Sequence, residues 1–530
     1  MINMVQNAKD QAAALAMAAY QAAVADGTLP EAEVKTAPVE IPKDTANGDF
    51  TTTFALAASK ALRQPPRNIA QALLDHMDLA GSYFASAEIA GPGFLNFRLN
   101  DSWYAAVCEA VESEGADYGT ADHLKGQKIM VEFVSANPTG PMHMGNARGG
   151  VLGDTLASVL AACGADVTRE FYVNDAGHQI DKFAHSIEAR YLQIIRGEDA
   201  VPFPEDGYQG EDIKDLARAY YEKNGDKLLD VPEAERQEAL AQFGLSINLP
   251  KMKTDLERYK IHYDNWFYES SLHESGYVKE TVDLLAERGW TYEKDGALWL
   301  RTADILRDHY RRQGKKEADI EKLDLKDDVL RRANGFYTYF AADIAYHRNK
   351  FAVRGFDKVI NIWGADHHGH VARLQAALDG LGLDGSHRLV VVLMQLVNLM
   401  QDGKPVRMSK RSGKAIALHD LLDEISVDAA RYFFNSRAST SPLDFDLDLA
   451  VREDSENPVY YVQYAHARIC SLLSRLAEEG EKVPAAEAVD AGVMTTPEEL
   501  ALIKALAQYP EEIHLAARSP AWIASACSRV

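Results

Sequence analysis

The chain has 530 residues, long enough for about three domains, and its 47% hydrophobic and 25% charged residues are ordinary for a soluble enzyme. A formal net charge of −23 excludes a generic nucleic-acid coat, which needs a basic surface to release counterions, but not a large enzyme with a local basic groove. Cys108, Cys163, Cys470 and Cys527 lie too far apart for a zinc ribbon or a disulfide framework; no apolar run reaches membrane-spanning length; and the Ala-rich start is a poor secretory signal, so a cytoplasmic protein is expected.

Residues 1–118 read as a separate α+β domain. An Ala-rich helix leads, helical stretches follow at Thr53 to Leu62 and Asn68 to Met77, and strands at Ser86 to Ile89 and Gly93 to Leu99 meet at a Gly-Pro-Gly turn. The stretch from Gln127 to Gly164 is the centre of the chain. Its apolar run from Ile129 to Val134, broken only by Glu132, predicts a buried strand, and Asn137, Pro138, Gly140 and Pro141 predict a turn. A helix should begin near Gly145 and end at Gly164 in a left-handed cap. A strand entering a helix through a glycine turn aims free N–H groups and a helix dipole at one point, a natural phosphate site. His143 and Asn146 lie three residues apart there, and Gly145 between them would let a ring or sugar approach the backbone.

His143-Met144-Gly145-Asn146 resembles the HIGH signature of class I aminoacyl-tRNA synthetases, with Asn in place of the last His. The wider phrase from Glu132 to Pro141 is similar to arginyl-tRNA synthetases in particular, as is Ile89 to Phe97, where the family's tRNA-contacting N-terminal extension ends. The resemblance implies that Ser135 and Asn137 contact arginine and that Pro141, His143, Gly145 and Asn146 contact ATP.

Further along, Val167 to Val173 predicts a second parallel strand, and a strand–helix–strand unit of this length begins a doubly wound sheet. Residues 180–260 read as a charged helical insertion, and Ile305 to Lys326 as a solvated helical pair of unknown use. Tyr263 to Ser271 sets aromatics beside carboxylates, which suits either a core strand or a planar guanidinium ligand. The resemblance places an arginine-binding Glu at Glu269. Tyr339 and Asp343, four apart, share one face of a predicted helix, and the resemblance assigns both to arginine.

Lys358 to Trp363 predicts another buried strand, followed by Gly364-Ala365-Asp366-His367-His368-Gly369-His370. Three His beside an Asp admit a metal reading, but no metal site is expected: the position after a strand favours the G-x-D-x-x-x-H pattern in which Gly364, Asp366 and His370 line the ribose side of ATP. A strand from Arg388 to Val397 leads to Asp402 through Lys414, a glycine-bounded loop with five cations. A solvated hairpin would explain that loop, and so would stabilising a triphosphate during adenylyl transfer. Arg407-Met408-Ser409-Lys410-Arg411 resembles the KMSKS loop, which implies ATP contacts at Met408, Ser409 and Lys410 and a catalytic role for His143, Asn146 and Lys410. The remainder reads as helical, and Leu443 to Ala450 resembles the junction to the family's anticodon-binding domain; the resemblance is expected to stop near Leu515, leaving that domain incomplete.

The expected architecture is α/β: a doubly wound, parallel-sheet catalytic domain (Rossmann-like, of the HUP type) at 119–425, an N-terminal α+β domain at 1–118 and a helical bundle at 426–530. The resemblance implies a monomeric arginine–tRNA ligase that uses ATP and Mg2+, takes L-arginine and tRNA(Arg), and makes no membrane contact. Two other readings stay open on sequence: activation of a different amino acid, with lysine nearest, and a non-enzymatic RNA-binding paralogue.

Overall fold

A computed structural model describes residues 2–406 and 416–518. The residues pack into two units, His123–His466 forming the body of the larger one. Its centre is a five-stranded parallel sheet of β1 (Lys128–Glu132), β2 (Asp166–Val173), β3 (Asn265–Tyr268), β4 (Lys358–Gly364) and β5 (Leu389–Met394). The spatial order is β5-β4-β1-β2-β3. The chain therefore runs outward from β1 to β3 and resumes on the other side of β1 with β4. That reversal opens a crevice at the carboxyl ends of β1 and β4, where doubly wound sheets hold ligands.

β1 ends two residues earlier than the apolar run predicts. Val134 and Ser135 have φ of 68° and 44°, left-handed values that are costly for a β-branched residue, so the chain leaves the sheet abruptly. The helix α1 (Met144–Ala162) then packs back on the sheet, burying Val151, Leu156, Ala157 and Leu160 with Ile129, Val131 and Phe171. Helix and strand approach so closely that a Cβ on Gly153 would lie 2.2 Å from the Phe133 ring. At its end Gly164, with φ 91°, donates to the Ala161 carbonyl and Ala165 donates to that of Leu160. These two bonds form the left-handed cap foreseen in the sequence.

Between β2 and β3, the helices His178–Arg196, Glu211–Asn224 and Glu233–Arg258 close around Phe183, Ile187, Tyr191, Ile213, Leu216 and Leu240. The charged segment is a helical pair, Thr302–Arg312 and Glu317–Ile320, turning at Gly314 with Arg311 paired to Glu317 at 2.7 Å.

The predicted strand from Arg388 to Val397 is two strands in two sheets. β5 stops at Met394; β6 (Val397–Gln401) then pairs with β7 (Lys404–Val406) and β8 (Leu443–Asp446). The break has an identifiable cause. Gln395 gives its N–H to the Ser439 carbonyl and its own carbonyl to Arg148, so neither group is left for the ladder.

The smaller unit joins the residues up to Asp122 with Ala467–Leu515. A four-stranded antiparallel sheet, in spatial order Val39–Glu40, Phe50–Thr52, Phe94–Leu99 and Phe84–Ala90, is packed by helices Met4–Ala25, Phe54–Leu62, Pro66–Asp75 and Asp101–Glu114. The leading helix buries Ala8, Ala12, Ala16, Ala19 and Ala23. A later helix, Pro497–Arg518, adds Ile503 and Ala507 to this core and stacks Tyr509 on Tyr118 at 6.3 Å, while Lys504 pairs with Asp49. Sequence reading grouped this helix with the segment beginning at residue 426; by packing it shares the N-terminal core.

Candidate active site

The site is assembled from the carboxyl ends of the five strands. After β1 comes the turn into α1, whose first turn is fixed by its own signature residues. His143 is the N-cap: its Nδ1 accepts the Gly145 N–H at 3.2 Å, and Asn146 Oδ1 accepts the His143 N–H at 3.0 Å. This reciprocal pair is a capping box built from His and Asn, residues uncommon in that role. Because Nδ1 is an acceptor, Nε2 carries the proton and is the donor left for a ligand. Desolvation in the cleft pushes the His143 pKa below its ordinary value, keeping the ring neutral. Gly145 has a reason beyond ligand approach: a Cβ there would meet the His143 ring at 3.1 Å.

His143, Gly145, Asn146 and Gly149 form one wall of a cleft of about 1180 Å³. Gly364, Asp366 and His367 after β4 form its floor, and residues of β6 and β7 with Met394, Gln395 and Leu396 form the facing wall. Gly364 lies close under Asp366, whose Oδ1 would be 2.4 Å from an added Cβ. Pro141 is exposed beside this turn. Met408, Ser409 and Lys410 lie outside the described residues.

A second cluster lies over β2 and β3. Glu269, directly after β3, is 3% exposed and extends the ladder by donating its N–H to the Val173 carbonyl. The helix α2 (Tyr339–Arg348) begins at a Thr338 cap and carries Tyr339 and Asp343. Tyr339 is 48% exposed, and its hydroxyl accepts backbone N–H groups of Gln179 and His178 at the start of the insertion. The Asp343 carboxylate accepts from His370 Nε2 at 2.6 Å. Burial alone would raise the Asp343 pKa, but the His370 hydrogen bond, with the cationic Lys350 nearby, outweighs it and brings it below the ordinary value. His370 is thus turned to the Asp343 carboxylate, and of its G-x-D-x-x-x-H partners Gly364 and Asp366 line the cleft. Ser135 is tied back to the sheet, donating to Glu132 and accepting the Tyr172 N–H, and Asn137 is exposed on the turn.

Three groups were missed in the sequence. Tyr172, at the carboxyl end of β2, hydrogen-bonds Glu269; burial first, then the charges of Glu269 and Asp343, hold its pKa well above the ordinary value. The Tyr172 hydroxyl therefore lies within electrostatic reach of both carboxylates. Beneath them Lys350, fully buried, pairs with Glu132 at 2.5 Å and reaches Asn361 and His347. His347 gives Nδ1–H to the Asp343 carbonyl and accepts from Asn361 at Nε2, and burial, reinforced by Lys350, pushes its pKa down to about 3. The only sequence signal for this network was Glu132 inside an apolar strand, a charge that must find a partner.

Among the described residues, no group of His, Cys, Asp and Glu side chains is disposed to hold a metal ion, and no helix is long and apolar enough to cross a membrane.

A nucleotide-sized cleft at the switch point of such a sheet, flanked by a His-x-Gly-Asn helix start and a Gly-x-Asp turn, defines a class I aminoacyl-tRNA synthetase. Residues 109–442 match the family of class I (R) tRNA synthetase catalytic domains, residues 11–99 the arginyl-tRNA synthetase N-terminal domain, and residues 462–527 the DALR anticodon-binding domain. The arginine–tRNA ligase of Acetivibrio thermocellus is 51% identical over 519 residues, covering 98% of this chain and 89% of that protein. A solved structure from Campylobacter jejuni, described as an arginyl-tRNA synthetase, superposes with a TM-score of 0.69 at 34% identity, covering 81% of this chain and 90% of that one. The arginyl-tRNA synthetase of Thermus thermophilus gives a TM-score of 0.66 at 22% identity over 97% of this chain and 90% of its own, a likeness of fold. The chain belongs to the arginyl-tRNA synthetase family. The DALR match runs to residue 527, which corrects the expectation that the resemblance ends near Leu515.

Proposed function

We propose that the enzyme activates L-arginine with ATP and transfers it to tRNA(Arg), with ATP in the cleft beside His143 and arginine in the pocket of Glu269, Tyr339 and Asp343. The observation that carries this reading is the adjacency of the two sites. Glu269 and Asp343 both act electrostatically on the Tyr172 hydroxyl, and His370, bonded to Asp343, lies on the helix directly after the turn of Gly364 and Asp366 on the cleft floor. A permanent planar cation between the buried Glu269, the half-buried Asp343 and a tyrosine ring is bound by charge-assisted hydrogen bonds that a neutral side chain cannot make. Ser135 and Asn137, on the strand-to-helix connection, would hold the polar end of the amino acid.

In this arrangement a carboxylate oxygen of arginine forms a bond to the α-phosphorus of ATP, and the bond from that phosphorus to the bridging oxygen breaks, releasing pyrophosphate. No protein nucleophile is required, because both reactants are held and oriented. His143 Nε2–H, the Asn146 amide, the free N–H groups of α1 and Lys410 would stabilise charge developing on the phosphates. Pro141, Gly145, Gly364, Asp366, Met408 and Ser409 would complete the nucleotide's contacts. The 2′-hydroxyl of the terminal adenosine of tRNA then attacks the carbonyl carbon of the adenylate and expels AMP. We assign no protein ligand to Mg2+, which would enter on the phosphates of the nucleotide. Three functional segments fit these steps: 1–118 for tRNA contact, 119–425 for catalysis and 426–530 for the anticodon, in a monomeric cytoplasmic enzyme.

The test is ATP–pyrophosphate exchange with and without tRNA(Arg), with lysine as control. Exchange that depends on arginine and ignores lysine supports the reading; a folded, ATP-binding protein that shows none in either condition refutes it.

A further inference from the structure

Arg148 lies on α1, two residues beyond Asn146, and its side chain is fully buried. Buried arginines ordinarily face a carboxylate. This one makes its hydrogen bonds to four backbone carbonyls: Gln395 at 2.9 Å and Ser441 at 3.1 Å through one terminal nitrogen, Ala438 at 2.9 Å and Arg437 at 3.4 Å through the other. Among the described residues no carboxylate pairs with it. Burial pushes its pKa down to about 10, so it remains a cation at neutral pH.

The positions of those carbonyls give the contact its meaning. Gln395 is where β5 leaves the parallel sheet, and the 437–441 loop is where the chain enters β8. The Gln395 N–H is itself held by Ser439, and Leu443 donates to the Leu396 carbonyl. Arg148 therefore grips both roots of the three-stranded sheet that forms one wall of the ATP cleft, while the opposite wall, at Gly145, Asn146 and Gly149, belongs to its own helix. One planar fork spans the two walls. A point charge such as Lys cannot reproduce that geometry, since it reaches several divergent carbonyls only by moving. Burying an unpaired cation is an expensive way to gain stability alone.

We propose that Arg148 is a positioning residue that sets the width of the nucleotide cleft by clamping the β6–β8 sheet to the helix that begins at His143. This rests on the assignment of ATP to that cleft. Arg148 touches no substrate; it acts through the backbone of Gln395 and the sheet beyond it.

The experiment measures ATP–pyrophosphate exchange for the wild type, Arg148→Lys and Arg148→Met with tRNA present, with KM determined separately for ATP and for arginine and folding checked by thermal melting. The expected result is a rise of tenfold or more in KM for ATP in Arg148→Met, a KM for arginine within threefold of wild type, and partial recovery of KM for ATP in Arg148→Lys. If Arg148→Met does not fold, Arg148→Lys carries the same split at smaller amplitude. Folded variants with unchanged KM for ATP, or with both KM values raised alike, overturn the proposal. A wild type without arginine-dependent exchange refutes instead the function on which it rests.

Discussion

The two units solve the problem of their interiors in opposite ways. The N-terminal unit closes on alanines, phenylalanines and leucines, and the uncharged Thr52, Ser82 and Asn96 are its buried polar residues among those described. The catalytic unit buries Glu132, Arg148, Asp154, Glu170, Glu269, His347 and Lys350. Ionic burial yields little net stability, so its concentration under the site points to another purpose: fixing side chains that must meet a charged ligand without reorganising. The difference teaches where in this molecule shape is held by packing and where by charge.

Breaking one partner of a buried pair should give the largest effect. Lys350→Met leaves Glu132 without its cation, and a loss of about 3–5 kcal/mol is expected in urea unfolding of the catalytic unit. Adding Glu132→Gln to that variant should recover part of it, whereas additive losses would show that the pair is not coupled. Next comes Asp343→Asn, which keeps the shape of the pocket and removes its charge. KM for arginine should rise at least tenfold, roughly the weight of a hydrogen bond to a charged group, with KM for ATP within twofold; an unchanged KM for arginine removes Asp343 from the pocket.

In the alanine-packed unit the same degree of burial should cost less to disturb. Ala12→Gly, fully buried in the leading helix, is expected to lose about 1 kcal/mol through helix propensity, read from the melting of the N-terminal unit. A dependence on pH separates the units by sign. His347 is held neutral, with a pKa near 3, so its contribution is complete above the ordinary value of 6.5 and is lost as pH falls from there toward 3. His76, hydrogen-bonded to Asp26 at 2.7 Å, has its pKa raised, so its contribution is complete below 6.5 and is lost as pH rises through the folded-state value. In a 13C-histidine NMR titration, His76 should therefore titrate above pH 6.5 and His347 should stay unchanged down to pH 5.

Local features were legible in the sequence because local physics sets them. The turn at His143, the cap at Gly164 and the shared face of Tyr339 and Asp343 all follow from spacing within a few residues. What escaped depends on partners distant in the chain. Glu132 and Lys350 are 218 residues apart, and Arg148 meets Ser441 across 293. An apolar run from Leu389 onward gives no sign that a side chain from another helix will divert it at Gln395. The helical reading of the C-terminal part likewise gave no sign that Tyr118 would be a neighbour of Pro497–Arg518.

The capping box at the start of α1 turns the signature residues into a latch as well as a contact. His143 Nδ1 and Asn146 Oδ1 are spent on their own backbone, so the turn is held from within, and the ring's far nitrogen and the Asn146 amide nitrogen are the groups offered outward. A nucleotide that drew the imidazole fully away would release the Gly145 amide, so hydrogen exchange at that single amide distinguishes a ligand that docks on the closed latch from one that springs it.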